Sequence, residues 1–292
     1  MMNSEASKPD GVSDKSPFAG CAILITALLV MLFLIVFSVV VLFRQFGEIA
    51  KFTEKKPVRV EIESLEDREA EINALAEKIE RFRLAVMDGK SAVLELNAGE
   101  LNLAIAAYGA FKEMRGMMRV REITKEKLTF DISFKLNGRP RLAKEGESGI
   151  VGSDPRYLNG VLIAKPGLLD KEVVLQVTEI EVPFASVARG FVDQMSPYRI
   201  TEKFVGDTEI GKVMSGLTNV ELADGVVRFV KKEGELPKDT LTNEQVDQSS
   251  QRLFTFLGIA ATVFLLFVAV VLFIGLRAKK RGGNSGGPDE PA

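Results

Sequence analysis

Two long apolar runs, and between them a stretch whose apolar positions recur first at helical and then at strand spacing, set the outline of this chain. The first run, Phe18 to Phe43, is 26 residues without a charge, and the second, Leu253 to Leu276, is 24. About 20 residues rising ~1.5 Å each already cross a ~30 Å hydrocarbon layer, so each run predicts a transmembrane helix. Cys21 precedes the first run instead of closing it, which excludes a lipoprotein signal. The run also exceeds the roughly 7 to 15 apolar residues of a cleavable secretion signal and leaves through Phe43, Arg44, Gln45 and Phe46. A retained span is therefore expected.

Between the runs the pattern is that of a mixed α+β domain. From Ser64 the residues Ile72, Leu75, Ile79, Phe82 and Val86 alternate steps of three and four, with Leu65 one heptad earlier. This predicts an amphipathic helix over 64–88, N-capped by Ser64. Its stripe is either a self-association surface on a stalk or a face packed on its own domain. Val93 to Leu96 predicts a short strand. A helix follows at Asn97, where Asn97 and Glu100 have the spacing of a capping box and Leu101, Ala104, Ile105 and Tyr108 recur at helical spacing. Leu128, Phe130, Ile132, Phe134 and Leu136 alternate with polar partners, the mark of a strand with one dry face, and Asn137-Gly138 predicts a turn after it. A strand over Glu172–Val182 leads to Pro183, from which a helix is expected with Phe184, Val187, Ala188, Phe191, Val192 and Met195 on one face. Asn219 to Lys232 predicts a hairpin turning at Asp224-Gly225.

The expected architecture is thus an antiparallel curved sheet with packed helices, anchored by an N-terminal and a C-terminal transmembrane helix. By residue, 1–17 is a disordered tail, 18–43 a span, 44–63 a linker, 64–88 the amphipathic helix and 89–243 the α+β domain. Then come a linker over 244–252, a span over 253–276, and a basic then disordered tail over 277–292.

Charge adds direction. Arg277, Lys279, Lys280 and Arg281 form the densest basic cluster beside either span, which places the C-terminus in the cytoplasm. Two spans then return the N-terminus to the same side and leave the central domain outside the cytoplasmic membrane. Arg44, Lys51, Lys55 and Lys56 after the first span pull the other way. Neither run holds an ionisable Asp, Glu, Lys, Arg or His, the usual mark of ion pathways. With 38 basic and 40 acidic residues and a net charge of −2, nothing in the overall balance calls for nucleic acid.

Composition also narrows the chemistry. The chain of 292 residues has no His and one Cys, which lies in the first run. Intramolecular disulfides, His-based triads and zinc sites in the domain are thereby excluded, and neither a cofactor nor a metal is expected. Carboxylate pairs remain, such as Glu179 and Glu181 on one strand face, and Ser186 with Arg189 has no base in view. No catalytic residue is assigned.

The order of motifs resembles a known group. An N-terminal span, a helix, Leu94, Leu96, Glu100, Leu101 and Asn102, a long alternating strand, Tyr157-Leu158-Asn159, Glu181 to Phe184 and a terminal Asp-Gly hairpin are similar to the YpmS-like group of membrane-anchored bacterial envelope proteins. The resemblance covers roughly residues 75–232. It implies a curved sheet wrapped on a helix, like the tubular lipid-binding folds, with membrane lipids as partners. The second run and its basic tail depart from that group's single anchor.

Two functional expectations follow. One is a non-catalytic domain that binds lipid or another amphiphile at the membrane surface. The other is an envelope scaffold that recruits another envelope protein or a second copy of itself. Between Lys112 and Lys144 ten basic residues face four acidic ones. Lys112, Arg115, Arg119, Arg121, Arg139 and Arg141 are the candidate contacts to an anionic surface, and the alternative is that they are the wet faces of strands and a turn. Ile72, Leu75, Ile79, Phe82 and Val86 are the candidate self-association surface.

Overall fold

The computed structural model describes residues 17–241 and Thr262. The second apolar run, its basic cluster and both expected tails, apart from Pro17, lie outside the described residues, Thr262 excepted. The chain divides into two compact units, one of Met1–Leu42 with Phe254–Ala292 and one of Phe43–Leu253.

In the first unit the description is of a helix. α1 runs Pro17–Ile49 and ends inside the second unit. Within it Ala27–Ile49 is long and apolar enough to cross a membrane, by length and composition, criteria that a signal sequence also meets. Its large apolar side chains from Leu28 to Val41 are exposed, half-buried Val30 excepted.

The second unit is α+β with two curled antiparallel sheets. In order come α2 (Glu69–Met87), β1 (Ala92–Asn97), α3 (Ala98–Ala107), a 3-10 turn over Gly109–Met114, β2 (Met118–Ile123), β3 (Leu128–Leu142), β4 (Val151–Leu169), β5 (Glu172–Val182) and β6 (Ala185–Ser186). They are followed by α4 (Arg189–Met195), α5 (Ile210–Gly216), β7 (Asn219–Ala223) and β8 (Val226–Lys231). The larger sheet has the order β2-β3-β4-β5-β6 and the smaller β1-β8-β7.

Register explains the core. Leu128, Phe130, Ile132 and Phe134 of β3 lie opposite Ala164, Leu162, Gly160 and Leu158 of β4. Ile180, Val177, Leu175 and Val173 of β5 continue the row. These side chains are buried with Leu94 and Leu96 of β1, Leu103 of α3, Leu217, and Val220 and Val227 of the small sheet. β7 packs on β4, α3 on β2, and α4 and α5 on β5. The dry face of the large sheet is thus covered by the chain's own elements.

The edge of that sheet is closed by a side chain. Buried Asn102 of α3 donates to the Val120 carbonyl and accepts from the Val120 N–H, both at 2.8 Å, so its amide stands where a neighbouring strand would.

Several expectations hold and others are corrected. The capping box forms, with Asn97 Oδ1 accepting from the Glu100 N–H and Glu100 Oε2 from the Asn97 N–H, each at 2.9 Å. Gly225, at φ +78°, turns the β7–β8 hairpin as its Asp-Gly sequence requires. The amphipathic helix, however, begins at Glu69 and not at Ser64. Ser64 Oγ accepts from the Glu66 N–H in a turn, and Asp67 at φ +59° breaks the helical path before Arg68. Asn137-Gly138 is no turn, because β3 continues to Leu142 through a bulge between Asn137 and Pro140. Gly138 is needed there, since a Cβ would collide with the Asp154 carbonyl oxygen. Pro183 starts no helix. Pro183 and Phe184 instead turn the chain into β6, where Ala185 pairs with Val182, and α4 is confined to Arg189–Met195.

Candidate functional site

The end of α1 is built into the domain. Thr53 Oγ1 donates to the Ile49 carbonyl at 2.6 Å, and the Arg156 guanidinium of β4 donates to the Ala50 carbonyl at 2.7 Å, to Thr53 Oγ1 at 3.0 Å and to the Thr53 carbonyl. Glu54 then pairs with Tyr157 through both backbone groups at 2.8 Å. Carbonyls in the turn that follows a helix have no helical donors, and a planar cation with five N–H groups suits two of them and a hydroxyl at once.

Beyond this clamp, residues 54–63 form a strap over the polar face of the large sheet. Asn159 Oδ1 accepts from the Val58 N–H at 3.1 Å and from Ser133 Oγ at 2.8 Å. Its Nδ2 donates to Glu54 at 2.6 Å and to the Lys56 carbonyl at 3.0 Å. Ser133 and Asn159 lie opposite each other in the ladder, so strap, β3 and β4 meet on one buried amide. The strap ends at Glu63, which pairs with Arg119 of β2 at 3.1 Å and Arg68 at 3.0 Å. Beneath it a cavity of about 10 Å³, room for roughly one water, is lined by Glu61, Asn102, Arg115 and Arg119. The buried Arg119 Nε has no hydrogen-bond partner among the described residues.

Four of the six basic candidates are engaged within the domain. Arg115 closes the C-terminal end of α3, donating to the Ile105 and Tyr108 carbonyls at 3.0 Å. Arg119 holds Glu63 and Arg121 holds Asp131, while Arg141 forks between Glu147 and Asp154, at 2.7 Å from both. Lys112 and Arg139 are exposed and make no ion pair among the described residues. The stripe on α2 faces inward. Leu75, Phe82 and Val86 are buried and Ile72 and Ile79 half-buried against the domain's own core, beside β1, α3 and α5.

Remaining carboxylates give no assembled chemistry. Glu179 and Glu181 share a strand face, opposite Ile163 and Val161, and both are exposed. Glu172 is buried beside β4, with Oε1 on Arg199 at 3.0 Å and Oε2 without a hydrogen-bond partner among the described residues. Burial pushes its carboxyl up, while Arg199 pulls it down. Among the described residues no group of three or more His, Cys, Asp or Glu is placed to hold a metal.

No family model, curated protein or solved structure matches this chain. Family-level expectations therefore rest on the motifs quoted above. Sequence reasoning passed over Arg156, the residue that ties α1 to β4. A lone arginine after Pro155 carries no signal, because its acceptors are backbone carbonyls more than 100 residues earlier.

At the far end of β3 and β4, Glu147 is held well below the usual carboxylate range, at about 2, by its hydrogen bonds from Arg141 and from the Lys144 N–H. Its ionised form thus supports the loop above the ordinary value of 4.5, and that support is lost as pH falls through about 2. A carbon-13 NMR titration is expected to place the Glu147 midpoint near 2 and to move it towards 4.5 in Arg141→Ala. A wild-type midpoint near 4.5 would remove the tie.

Proposed function

We propose that the chain is a two-span protein of the cytoplasmic membrane, with both termini cytoplasmic and a non-catalytic extracytoplasmic domain that binds lipid or another amphiphile at the membrane surface. The observation that carries this reading is the clamp. Arg156, Thr53 and the Glu54–Tyr157 pair hold residues 50–54, which directly follow α1, on β4, so the chain leaving α1 is part of the domain and not a free linker. A domain that had to sweep for distant partners would gain from a flexible linker. A domain that works where its helix emerges gains from a rigid joint.

Chemistry supports the same reading. The dry face of the large sheet is filled by the chain's own side chains, with Leu158, Leu162 and Ala164 fully buried, so the amphiphile is engaged from outside that core. Exposed Arg44, Lys55, Lys56 and Arg59 stand close in sequence to the end of the apolar segment. Basic groups beside an anionic leaflet contribute about 1 kcal/mol each. The lack of His leaves a catalytic role without its commonest general base.

The test is native mass spectrometry of the full chain, released from detergent after extensive exchange. Retained lipid at defined stoichiometry is the expected result. A chain that keeps no lipid but carries a second protein through purification would replace this reading with the envelope scaffold.

A further inference from the structure

The end of the β3–β4 hairpin is unlike the rest of the domain. Leu142, Ile150 and Val151 are 77%, 82% and 65% exposed and adjoin one another, since Leu142 pairs with Val151 and Ile150 is next in the chain. Single exposed apolar residues are ordinary, but three together at the end of a projecting ladder are not. Polar groups around them are satisfied within the loop. The Ala143 N–H donates to the Ile150 carbonyl at 3.0 Å, Arg141 pairs with Glu147 and Asp154, and Lys144 with Asp154 at 3.4 Å. From Arg139 to Asp154 the three basic residues are matched by Glu145, Glu147 and Asp154, leaving no net charge. An apolar, charge-balanced tip suits the boundary between water and acyl chains, where an unpaired charge is costly.

The direction of the hairpin decides the occupant. Arg156, opposite Leu136, holds Ala50 and Thr53 just after α1. Three residues nearer the tip, Arg139 reaches back along α1, its Nη2 3.9 Å from where a Cβ on Gly47 would be. Advancing towards the tip therefore retraces the chain from Thr53 and Ala50 to Gly47, the last turn of α1, against chain direction. The ladder then continues from Arg139 to Leu142, roughly 10 Å at about 3.3 Å per residue.

We propose that the β3–β4 hairpin is a second bilayer contact, with Leu142, Ile150 and Val151 entering the headgroup and upper acyl region. This rests on reading the domain as a membrane-surface protein and adds the segment that touches lipid.

The test uses the full chain with Cys21→Ser, carrying one new cysteine by Leu142→Cys, Ile150→Cys or Lys125→Cys, each labelled with an environment-sensitive fluorophore in lipid nanodiscs. Lys125 is exposed in the β2–β3 turn, at the other end of β3. Labels at 142 and 150 are expected to shift to the blue and to lose most of their emission when the lipids carry nitroxide on the acyl chain, while the label at 125 is unchanged. Equal emission at all three positions would overturn the proposal. Lipid retention in the mass-spectrometric test reads the functional proposal independently. Retained lipid with an unquenched tip removes only the hairpin contact, and a quenched tip on a chain that retains no lipid removes only amphiphile binding.

Discussion

Asn159→Ala is expected to destabilise the domain by about 3 kcal/mol, which for a domain of this size lowers the unfolding midpoint by roughly 6–12 °C. Asn159 is 5% exposed and serves four partners: Val58, Ser133, Glu54 and Lys56. Truncation removes four hydrogen bonds at once, one of them to buried Ser133 and three to the partly buried strap, and a buried group left unpaired costs about 1–3 kcal/mol when no water replaces the lost bond. The strap responds first. Amide exchange across residues 54–63 should rise well before exchange in β3 or β4. A variant that melts within about 1 kcal/mol of wild type with unchanged exchange would show that the strap is held by something else.

Gly160→Ala, one residue on, has a comparable effect for a different reason. Gly160 sits where β5 joins the sheet, and a Cβ there would lie well inside contact distance of the Glu181 carbonyl oxygen, 3.1 Å from its carbonyl carbon and 3.2 Å from Val182 Cγ1. The obstructing atoms are mainly backbone, so β5 must move away from β4, weakening the Val161–Glu181 pairing. A loss of about 3 kcal/mol is expected from denaturant unfolding. Gly190→Ala is the matched control. Gly190 lies in α4 with nothing within 4 Å of an added Cβ, and alanine there should stabilise the domain by up to about 1 kcal/mol. If both substitutions behaved alike, close strand approach would not be the reason for glycine at 160.

These two neighbours also show where the sequence was legible. β3 was readable because Leu128 to Phe134 alternate without interruption and only one of its faces is apolar. β4, the longest strand in the domain, is not legible as one, because Pro155, Gly160, Pro166 and Gly167 break its pattern. Its prolines are tolerated where β4 has a ladder partner on one side only, Pro155 beside β3 before β5 joins and Pro166 beside β5 after β3 has ended. Pro183 misled in the opposite sense, since a proline that opens a helix and one that turns a strand pair look the same in one dimension. The basic stretch from Lys112 to Lys144 was legible as charge but not as a surface. Glu63, the partner of Arg119, lies 56 residues away, and Arg115 spends its guanidinium on carbonyls.

The clamp and strap carry a consequence for the order of events at synthesis. Residues 50–58 are made about a hundred positions before Arg156 and Asn159, which hold them. A nascent chain therefore has its apolar helix long before the joint that fixes the domain to it can close. Until β4 is complete, helix and strap have none of these partners and the helix is free to turn and settle on its own. Contacts this far apart in sequence form late, so residues 50–58 find their place only when β4 arrives, about a hundred positions after they are made.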